Sequence, residues 1–403
     1  MKVNQWYALT LIGIAVLFSM SLWFSASVIA PALREAWQLT LLSEAWLSAA
    51  VPGGFVIGSL ISSFFGISDR LNPRKIFAGS SLFGSIFNIL IIFVDQAYIG
   101  IILRALTGVT LAGVYPPAVN LITQWFPKQR GLATGVLIAA LTLGSSLPHF
   151  ILLYFNNINI NVVIILSSLL SIIAAIIINW FVMDAPIAKI NIRFSIKLLK
   201  KVIYNKPVML ANYGYFGHMW ELYAAWTWLP LFLNTSFLSY SSSINPFLSS
   251  LVSFLSIGIC GGIGCIIGGF VADKIGRSNL TIIAMAMSAF CAFSIGLTYG
   301  SHIWLTILFS LLWGSSVIAD SAQFSAAVSE FADREYIGTA LTFQMCIGFL
   351  FTIVSINIIP WLQTIIGWEW VFIVLSIGPV IGIFSMIKLR SYENAKLYLD
   401  QTS

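Results

Sequence analysis

The sequence predicts an all-α membrane protein in which twelve transmembrane helices form two similar sets of six. Of its 403 residues, 59% are hydrophobic and only 8% are charged, and the mean hydropathy is +0.95. Soluble domains carry roughly 25% charged residues, so this composition indicates a chain that lies in a bilayer. Two landmarks also recur at one spacing, because Asp69 and Asp273 are 204 positions apart, as are Arg130 and Arg334. The shared offset indicates an internal duplication, which is typical of transporters built from two halves.

Apolar runs long enough to cross a membrane alternate with short polar breaks along the whole chain. About twenty apolar residues span a bilayer as a helix. The first set of spans is predicted at 6–30, 44–67, 76–94, 97–123, 131–155 and 160–182, and the second set at 208–233, 247–271, 279–299, 302–328, 337–361 and 368–388. The first run is longer than the core of a signal peptide, so we expect it to remain as a helix. The spans divide the chain into an N-terminal half over 1–183, a polar linker over 184–206 and a C-terminal half over 207–403.

Positive charges fall between alternate pairs of spans, which places them on one side of the membrane. They are Lys2, Arg70, Arg74, Lys75, Lys128, Arg130, the six basic residues of the linker, Lys274, Arg277, Arg334, Lys388, Arg390 and Lys396. Only Arg34 and Arg104 lie elsewhere. The positive-inside rule then puts both termini in the cytoplasm, and we expect a bacterial inner membrane. The formal charge of +6 needs no nucleic-acid partner.

The sequence carries no sign of metal, cofactor or nucleotide chemistry. Its four cysteines, Cys260, Cys265, Cys291 and Cys346, lie inside apolar runs, without a C-x-x-C pair or a histidine at metal spacing. Small packing residues are the expected interpretation. A phosphate-binding loop of the G-x-x-x-x-G-K-[ST] type is also missing, so ATP is not expected to drive the protein directly. We expect no cofactor, no metal and no enzymatic activity.

A glycine-rich loop pattern between the eighth and ninth spans organises the second half. Gly269, Asp273, Lys274, Gly276 and Arg277 stand in the order G-x-x-x-D-[RK]-x-G-[RK]. Gly269 is expected to let two helices approach closely, and Gly276 to supply a turn with positive φ. Asp273 is expected to cap a helix or to pair across a cytoplasmic gate. The pattern resembles the loop signature of the major facilitator superfamily, which occurs between helices 2 and 3 and again between helices 8 and 9.

A weaker copy, FGISDRLNPRK, begins at Phe65 and includes Asp69 and Arg70. Phe65 replaces the leading glycine, so the close-packing role is lost there. Asn72 replaces the turn glycine and tolerates the same left-handed backbone region. By the resemblance, Asp69 and Arg70 belong to the same gating loop as Asp273 and Arg277.

Further segments resemble the same family over essentially the whole chain. Arg104 and Gly108 are similar to its R-x-x-x-G motif in helix 4, and QWFPKQRGLATG, over 124–135, is similar to its loop into helix 5. The segments over 214–230 and 319–328 look like those of a bacterial subgroup of permeases. The resemblance implies a secondary transporter whose halves rock around a midplane site lined by helices 1, 4, 7 and 10. The antiporter signature of exporters is matched only by Gly135 and Gly144, so it does not support export.

Charges within membrane spans are costly and often functional, and the clear cases away from the ends of the predicted spans are Arg104, Glu221 and Asp320. One cation cannot neutralise two carboxylates, so one acid is expected to hold a proton. We assign proton coupling to Glu221 with His218, which lies three residues earlier on the same helical face. Trp23, Arg104, Trp226 and Asp320 form the candidate substrate site. The structural alternatives are an acid that only shapes the field of a cavity, a neutral hydrogen-bonding histidine, and aromatic residues that pack or form an interfacial belt.

These residues favour proton-coupled uptake of a small polar organic solute, and the planar guanidinium of Arg104 favours an anion. The alternatives are efflux of a cationic or amphipathic compound, transport of a siderophore, and a transporter-like receptor that signals through the basic linker. The expected partners are the solute, protons and the lipid bilayer, and a monomer is expected.

Overall fold

Helices account for all regular structure that the computed structural model describes, which covers residues 4–126, 130–155, 161–184, 195–242, 247–333 and 335–402. The twelve principal helices are α1 (Gln5–Met20), α2 (Leu41–Phe64), α3 (Pro73–Phe93), α4 (Ala97–Trp125), α5 (Arg130–Phe155), α6 (Asn161–Phe181), α7 (Lys206–Tyr240), α8 (Phe247–Ile275), α9 (Arg277–Thr298), α10 (Ile303–Phe331), α11 (Ile337–Ile366) and α12 (Ile373–Thr402). In the described ranges, ten of them are long and apolar enough to cross a membrane. The other two are α1, with 16 residues, and α7, whose 35 residues include two buried ionisable side chains.

The helices lie where the apolar runs predicted them, apart from the first and the last helix of the chain. The first predicted span extends to residue 30, but α1 ends at Met20 and a turn follows before the short helices Ser25–Val28 and Ala30–Ala36. The last span is predicted to begin at residue 368, but α12 begins at Ile373 because 368–372 form turns after Gly367, whose φ is 74°. Apolar composition alone does not mark such breaks.

Two other helices are interrupted near the middle of the bundle. α4 consists of Ala97–Leu111 and Tyr115–Trp125, and proline in the first turn of the second piece favours a helix start because it needs no N–H partner there. α10 consists of Ile303–Ala319 and Ser321–Phe331, with Asp320 between them. These breaks and the turn after α1 place main-chain polar groups inside the bundle.

The helices form two six-helix pseudo-repeats that meet through α2 with α11 and α5 with α8. We call the side on which α1 begins and α12 ends the terminal face, and the other side the opposite face. Near the terminal face, Ser63 Oγ of α2 lies 3.4 Å from Thr342 Oγ1 of α11. Towards the opposite face, the rings of Phe150 in α5 and Phe254 in α8 are 5.0 Å apart. The halves are thus in contact towards both ends.

The glycine that allows close packing in α8 is Gly268, not Gly269 as the motif predicted. A Cβ atom on Gly268 would lie 2.3 Å from the carbonyl oxygen of Ala319 in α10, whereas one on Gly269 meets nothing within 4 Å. Gly269 therefore faces open space, and its neighbour faces α10. The prediction for Gly276 is confirmed, because its φ is 90°.

The loop between α8 and α9 is held by side chains from α10 and α12. Arg277 Nε donates to Glu330 Oε1 at 2.7 Å, and Nη1 donates to Gln323 Oε1 at 2.9 Å. The carboxylate of Glu393 accepts from the backbone N–H groups of Arg277 and Ser278, at 3.0 and 3.2 Å, which caps the start of α9. Asp273 is exposed at the end of α8.

The first loop copy is built differently. Asn72 has a φ of −67° and caps α3 by accepting from the N–H of Arg74 at 2.8 Å, so it does not take the left-handed role that the sequence allowed. Asn72 Nδ2 and Arg74 Nη1 both reach Asp184 Oδ1, at 2.9 and 3.7 Å. Arg70 is exposed, and the Asp69 side chain lies outside the described part of the chain.

The end of the linker is fixed to the second half and contains a short helix, Leu199–Tyr204. Lys201 Nζ lies 2.6 Å from Glu335 Oε2, and this hydrogen bond raises the pKa of the Lys201 ammonium. Asn205 donates to the hydroxyl of Tyr336 at 2.8 Å. Residues 185–194 of the predicted linker lie outside the described residues.

Candidate substrate and proton site

Arg104 satisfies main-chain carbonyls of the broken first helix rather than a carboxylate. Its side chain is fully buried, and Nη1 donates to Leu22 O at 2.8 Å and to Ser25 Oγ at 3.3 Å. Nη2 donates to Trp23 O, and Nε donates to Leu47 O of α2 at 3.4 Å. A helix end leaves carbonyl groups without partners, and a cation suits them because they carry the negative end of the helix dipole. No carboxylate of the described residues lies within ion-pair distance of Arg104.

This arrangement differs from the ion pair that the sequence predicted for Arg104. Arg104 was expected to match one of the two buried acids or the carboxylate of a solute. All three of its nitrogen atoms are instead directed at the turn after α1 and at α2. The guanidinium therefore holds the main chain at Trp23, because it donates to the carbonyl oxygen of that residue.

His218 pairs with Asp320 and not with Glu221. His218 Nδ1 of α7 lies 2.9 Å from Asp320 Oδ1, at the break of α10, and both side chains are almost completely buried. The two groups are within ion-pair distance but are not aligned as a hydrogen bond, because Asp320 Oδ1 and His218 Nε2 are both buried without a hydrogen-bond partner among the described residues. The rings of Phe324 and Tyr215 lie 5.5 and 6.0 Å from the imidazole. A histidine held in this way can share one proton with the carboxylate and offer Nε2 to a ligand.

Glu221 is held in the packing between α7, α9 and α10. Its Oε1 accepts from Trp313 Nε1 at 2.7 Å, and its Oε2 accepts from Ser288 Oγ at 2.9 Å. His218 and Glu221 lie three residues apart on one helix but have separate partners, because His218 meets Asp320 at the break of α10 whereas Glu221 accepts from Trp313 of α10 and Ser288 of α9. Ser315 and Ser316, which precede Asp320 in α10, donate to Leu312 O of their own helix.

An aromatic cluster fills the centre of the bundle, between the two halves. Trp23 stacks on Tyr223 with ring centroids 5.1 Å apart and an interplanar angle of 28°, and it lies 5.6 Å from Phe55 and 5.8 Å from Phe349. Trp226 meets Tyr223 edge-on at 5.6 Å. All five rings are buried, and they come from α2, α7, α11 and the turn after α1. We call these five residues the aromatic cluster.

The structure divides the tryptophans of α7 into two kinds. Trp220 Nε1 donates to Val374 O at 2.9 Å, and Trp228 Nε1 donates to Ile356 O at 3.0 Å, so both support helix packing. Trp226 Nε1 is buried without a partner in the described ranges. An unpaired buried N–H is costly, so this group is available to donate a hydrogen bond to an acceptor atom of a ligand.

Sequence reasoning missed Phe55, Phe349, Tyr215 and Phe324, which wall the central residues. Each is an aromatic residue in an apolar helix, so nothing in its local pattern distinguishes it from packing residues. A search for aromatic residues near the middle of every predicted span would have included Phe55 and Phe349, together with many others.

Twelve membrane helices in two pseudo-repeats, with ionisable side chains buried at their centre, define a helical membrane transporter. Comparison with known families bears this out, because residues 11–356 match the Major Facilitator Superfamily. The chain belongs to that family. The sequence resemblance and the predicted fold class are confirmed.

The relatives include two transporters that are named for a solute. A gallate transporter of Pseudomonas putida is 22% identical over 330 residues, which are 72% of this chain and 71% of the relative. The probable sulfoacetate transporter SauU of Cupriavidus necator is 23% identical over 271 residues, 62% of this chain and 60% of that protein. The uncharacterized transporter YybO of Bacillus subtilis is 23% identical over 344 residues, 76% of this chain and 75% of the relative.

A solved structure supports the fold. A mutant of the nucleoside transporter NupG superposes with a TM-score of 0.72 at 15% identity, covering 95% of this chain and 99% of that chain.

Proposed function

We propose that this protein is a proton-coupled secondary transporter of a small organic anion, with the proton carried by His218 and Asp320. The observation that supports it most is the 2.9 Å contact between these two buried side chains, next to an imidazole nitrogen without a partner. Transport would proceed by rocking of the two halves around the aromatic cluster.

The charge of the pair explains why a proton would be coupled to the solute. One shared proton keeps His218 and Asp320 neutral as a pair. Loss of that proton leaves a negative charge in the bilayer interior, which is expensive without a cation. Arg104 cannot supply the cation because its donors are occupied by the carbonyls of Leu22, Trp23 and Leu47. A bound anion would add a second negative charge, so the loaded transporter is best reoriented with the proton on the pair, where the protonated imidazole also stabilises the anion. Net coupling then requires that the empty transporter release this proton and return without it.

The aromatic cluster suits a solute with a flat apolar part. Stacked and edge-on rings offer large contact area at little cost in side-chain entropy, and Trp226 Nε1 adds one donor. The names of the gallate and sulfoacetate transporters are consistent with an organic anion as the solute. We infer a small carboxylate or sulfonate.

We further propose that the terminal face is cytoplasmic, in a bacterial inner membrane, and that one chain suffices. Positive residues of the described ranges gather on that face, including Arg70, Lys200 and Lys274, whereas Arg34 lies on the opposite face. A cysteine at Lys200 should then react with a membrane-impermeant maleimide only in inverted vesicles, and one at Ser242 only in right-side-out cells. Reaction of both from the same side would refute the topology.

The coupling proposal is tested with Asp320→Asn in proteoliposomes, using a labelled acid chosen by a thermal-shift screen that begins with gallate and sulfoacetate. The amide cannot exchange a proton, so accumulation driven by a pH gradient should fall to background. Counterflow of labelled solute, which needs no net proton movement, should persist and would separate a transporter from a receptor. Glu221→Gln is the matched control and should accumulate solute like the wild type. If Glu221→Gln loses accumulation and Asp320→Asn keeps it, the coupling site lies at Glu221.

A further inference from the structure

A cavity of about 520 Å³ opens on the opposite face, away from the residues assigned above. Its walls come from the short helix Ala30–Ala36, the turn before α2, the first turn of α2, and α7. They are Pro31, Arg34, Glu35, Gln38, Leu39, Glu44 and Leu231. The volume lies within the range of small-molecule sites, about 300–1,000 Å³. None of these residues belongs to the aromatic cluster or to the His218–Asp320 pair.

Glu44 is the unusual residue of this cavity. It is only 5% exposed, and its Oε2 has no hydrogen-bond partner among the described residues. Its position in the first turn of α2 gives some stabilisation from the helix dipole, and Thr40 already caps that turn by accepting from the N–H of Ser43. Neither effect gives Oε2 a donor. A buried carboxylate oxygen without a donor is costly, so the site favours a ligand that donates to it.

Arg34 supplies the complementary group. Its Nη1 lies 3.9 Å from Glu44 Oε2, which is close enough for charge attraction but too long for a hydrogen bond. Its side chain is 46% exposed, so the guanidinium can donate hydrogen bonds to a ligand. The other acid of the wall, Glu35, is exposed and therefore screened by solvent. The cavity thus presents one buried acceptor and one accessible donor fork at a separation of 3.9 Å.

We propose that this cavity is a second binding site, specific for a small carboxylate that bears a hydrogen-bond donor on the neighbouring carbon. The carboxylate binds Arg34, and the adjacent hydroxyl or ammonium group donates to Glu44 Oε2. Contacts of about 2.8 Å to each group fit the 3.9 Å separation when the ligand's donor and acceptor lie on neighbouring atoms. α-Hydroxy acids and α-amino acids share this arrangement. Simple carboxylates and simple amines each satisfy only one of the two groups.

The site also lies where it can serve the transport path. Leu231 belongs to α7 of the second half, whereas Arg34 and Glu44 belong to the first half. Because its walls come from both halves, the cavity lies at the entrance between them. Movement of one half against the other would change the shape of the cavity. Binding itself does not depend on the proton-coupling proposal, and the two fail independently.

The test is equilibrium binding of four matched probes to the purified full-length protein in nanodiscs. Mandelate and phenylglycine carry the carboxylate with a neighbouring hydroxyl or ammonium group, phenylacetate has no donor, and benzylamine has no carboxylate. The first two should bind at least ten-fold more tightly than the last two. The hydroxyl and ammonium arms also show which donor Glu44 accepts. An equal loss of phenylacetate and mandelate binding in Arg34→Gln, or no binding of either donor-bearing acid, would overturn the proposal.

Variants locate the bound probe. Arg34→Gln and Glu44→Gln should each weaken the preferred acid at least ten-fold, and Glu35→Gln should leave its affinity unchanged. Asp320→Asn should also leave it unchanged, and a loss there would move the ligand to the central site and refute the proposal. Because Glu44→Gln alters a buried position, a separate readout uses Glu35→Cys, whose alkylation should be slowed by mandelate but not by phenylacetate. Unchanged alkylation with saturating mandelate would place the ligand outside this cavity.

Discussion

Arg104 is a buried cation whose acceptors are main-chain carbonyls and a hydroxyl. The turn after α1 leaves the carbonyls of Leu22 and Trp23 inside the bundle, and the guanidinium of Arg104 serves both while also reaching Leu47 of α2. A lysine has one compact ammonium group and cannot reach three separated acceptors. The role of Arg104 is therefore to hold Trp23 in place within the aromatic cluster.

Arg104→Lys should lower stability and transport together. Losing charge-assisted bonds to buried carbonyls costs on the order of 2–4 kcal/mol. We expect a lower apparent melting temperature in detergent and a reduced maximal transport rate, with Arg70→Lys, at an exposed position, as the control. Normal stability with a raised KM for an anionic solute would instead mean that Arg104 binds the solute directly.

Glu221 accepts hydrogen bonds from two different helices, through Trp313 of α10 and Ser288 of α9. Glu221→Ala leaves Trp313 Nε1 without an acceptor and should cost about 3 kcal/mol. Glu221→Gln keeps an oxygen for Trp313, and Ser288 can accept from the new amide, so its melting temperature should remain near that of the wild type. Equal loss in both variants would show that the charge itself is required.

The spacing of side chains along one helix was readable from the sequence, but their partners on other helices were not. Arg104, Glu221 and Asp320 could be found because a charge in an apolar run is conspicuous. The contact between His218 and Asp320 depends on the break of α10, and the contact of Arg104 depends on the turn after α1. Neither break interrupts the apolar composition. Hence the ionisable residues were predicted, while their pairing was not.

At the scale of helices, close contact between α8 and α10 depends on which of two adjacent glycines faces the neighbour. The prediction for Gly269 came from its position in the sequence motif. Which glycine contacts α10 depends on the rotation of α8 about its own axis, and the motif does not specify that rotation. Gly268 is the one against the Ala319 carbonyl. The helix starts follow from hydropathy, and eleven of the twelve lie within three residues of the prediction, while α12 starts five residues later. The ends differ more, because α1 stops ten residues before its predicted end and α7 and α12 continue 7 and 14 residues beyond theirs.

The paired variants Gly268→Ala and Gly269→Ala test this contact. A methyl group on Gly268 would lie 2.3 Å from a backbone oxygen, so α8 and α10 must separate, at about 1–3 kcal/mol. On Gly269 the methyl group meets open space, and alanine improves helix propensity by up to about 1 kcal/mol. Thermal unfolding should therefore show a loss for Gly268→Ala and no loss for Gly269→Ala. The reverse order would mean that α8 is rotated relative to this description.

At the scale of the whole molecule, the two halves enclose the centre from both sides. Ser63 and Thr342 meet near the terminal face, and Phe150 and Phe254 meet towards the opposite face. The aromatic cluster between them is buried. Under the proposed rocking mechanism, one of these contacts opens to let a solute reach His218 and Trp226, and this structure would be the stage in which both contacts are made.

Crosslinking α2 to α11 tests that cycle directly. The hydroxyl groups of Ser63 and Thr342 are 3.4 Å apart, so cysteines at both positions should be joined through two disulfides by a short bis-methanethiosulfonate reagent. The crosslink prevents opening at the terminal face, and solute exchange in proteoliposomes should fall to background and return after reduction with dithiothreitol. Either single variant treated with the same reagent should keep its exchange rate, which controls for reaction at the native cysteines. Because the cycle requires α2 and α11 to separate, full exchange by the crosslinked double variant would refute rocking at this helix pair and require a path that opens elsewhere.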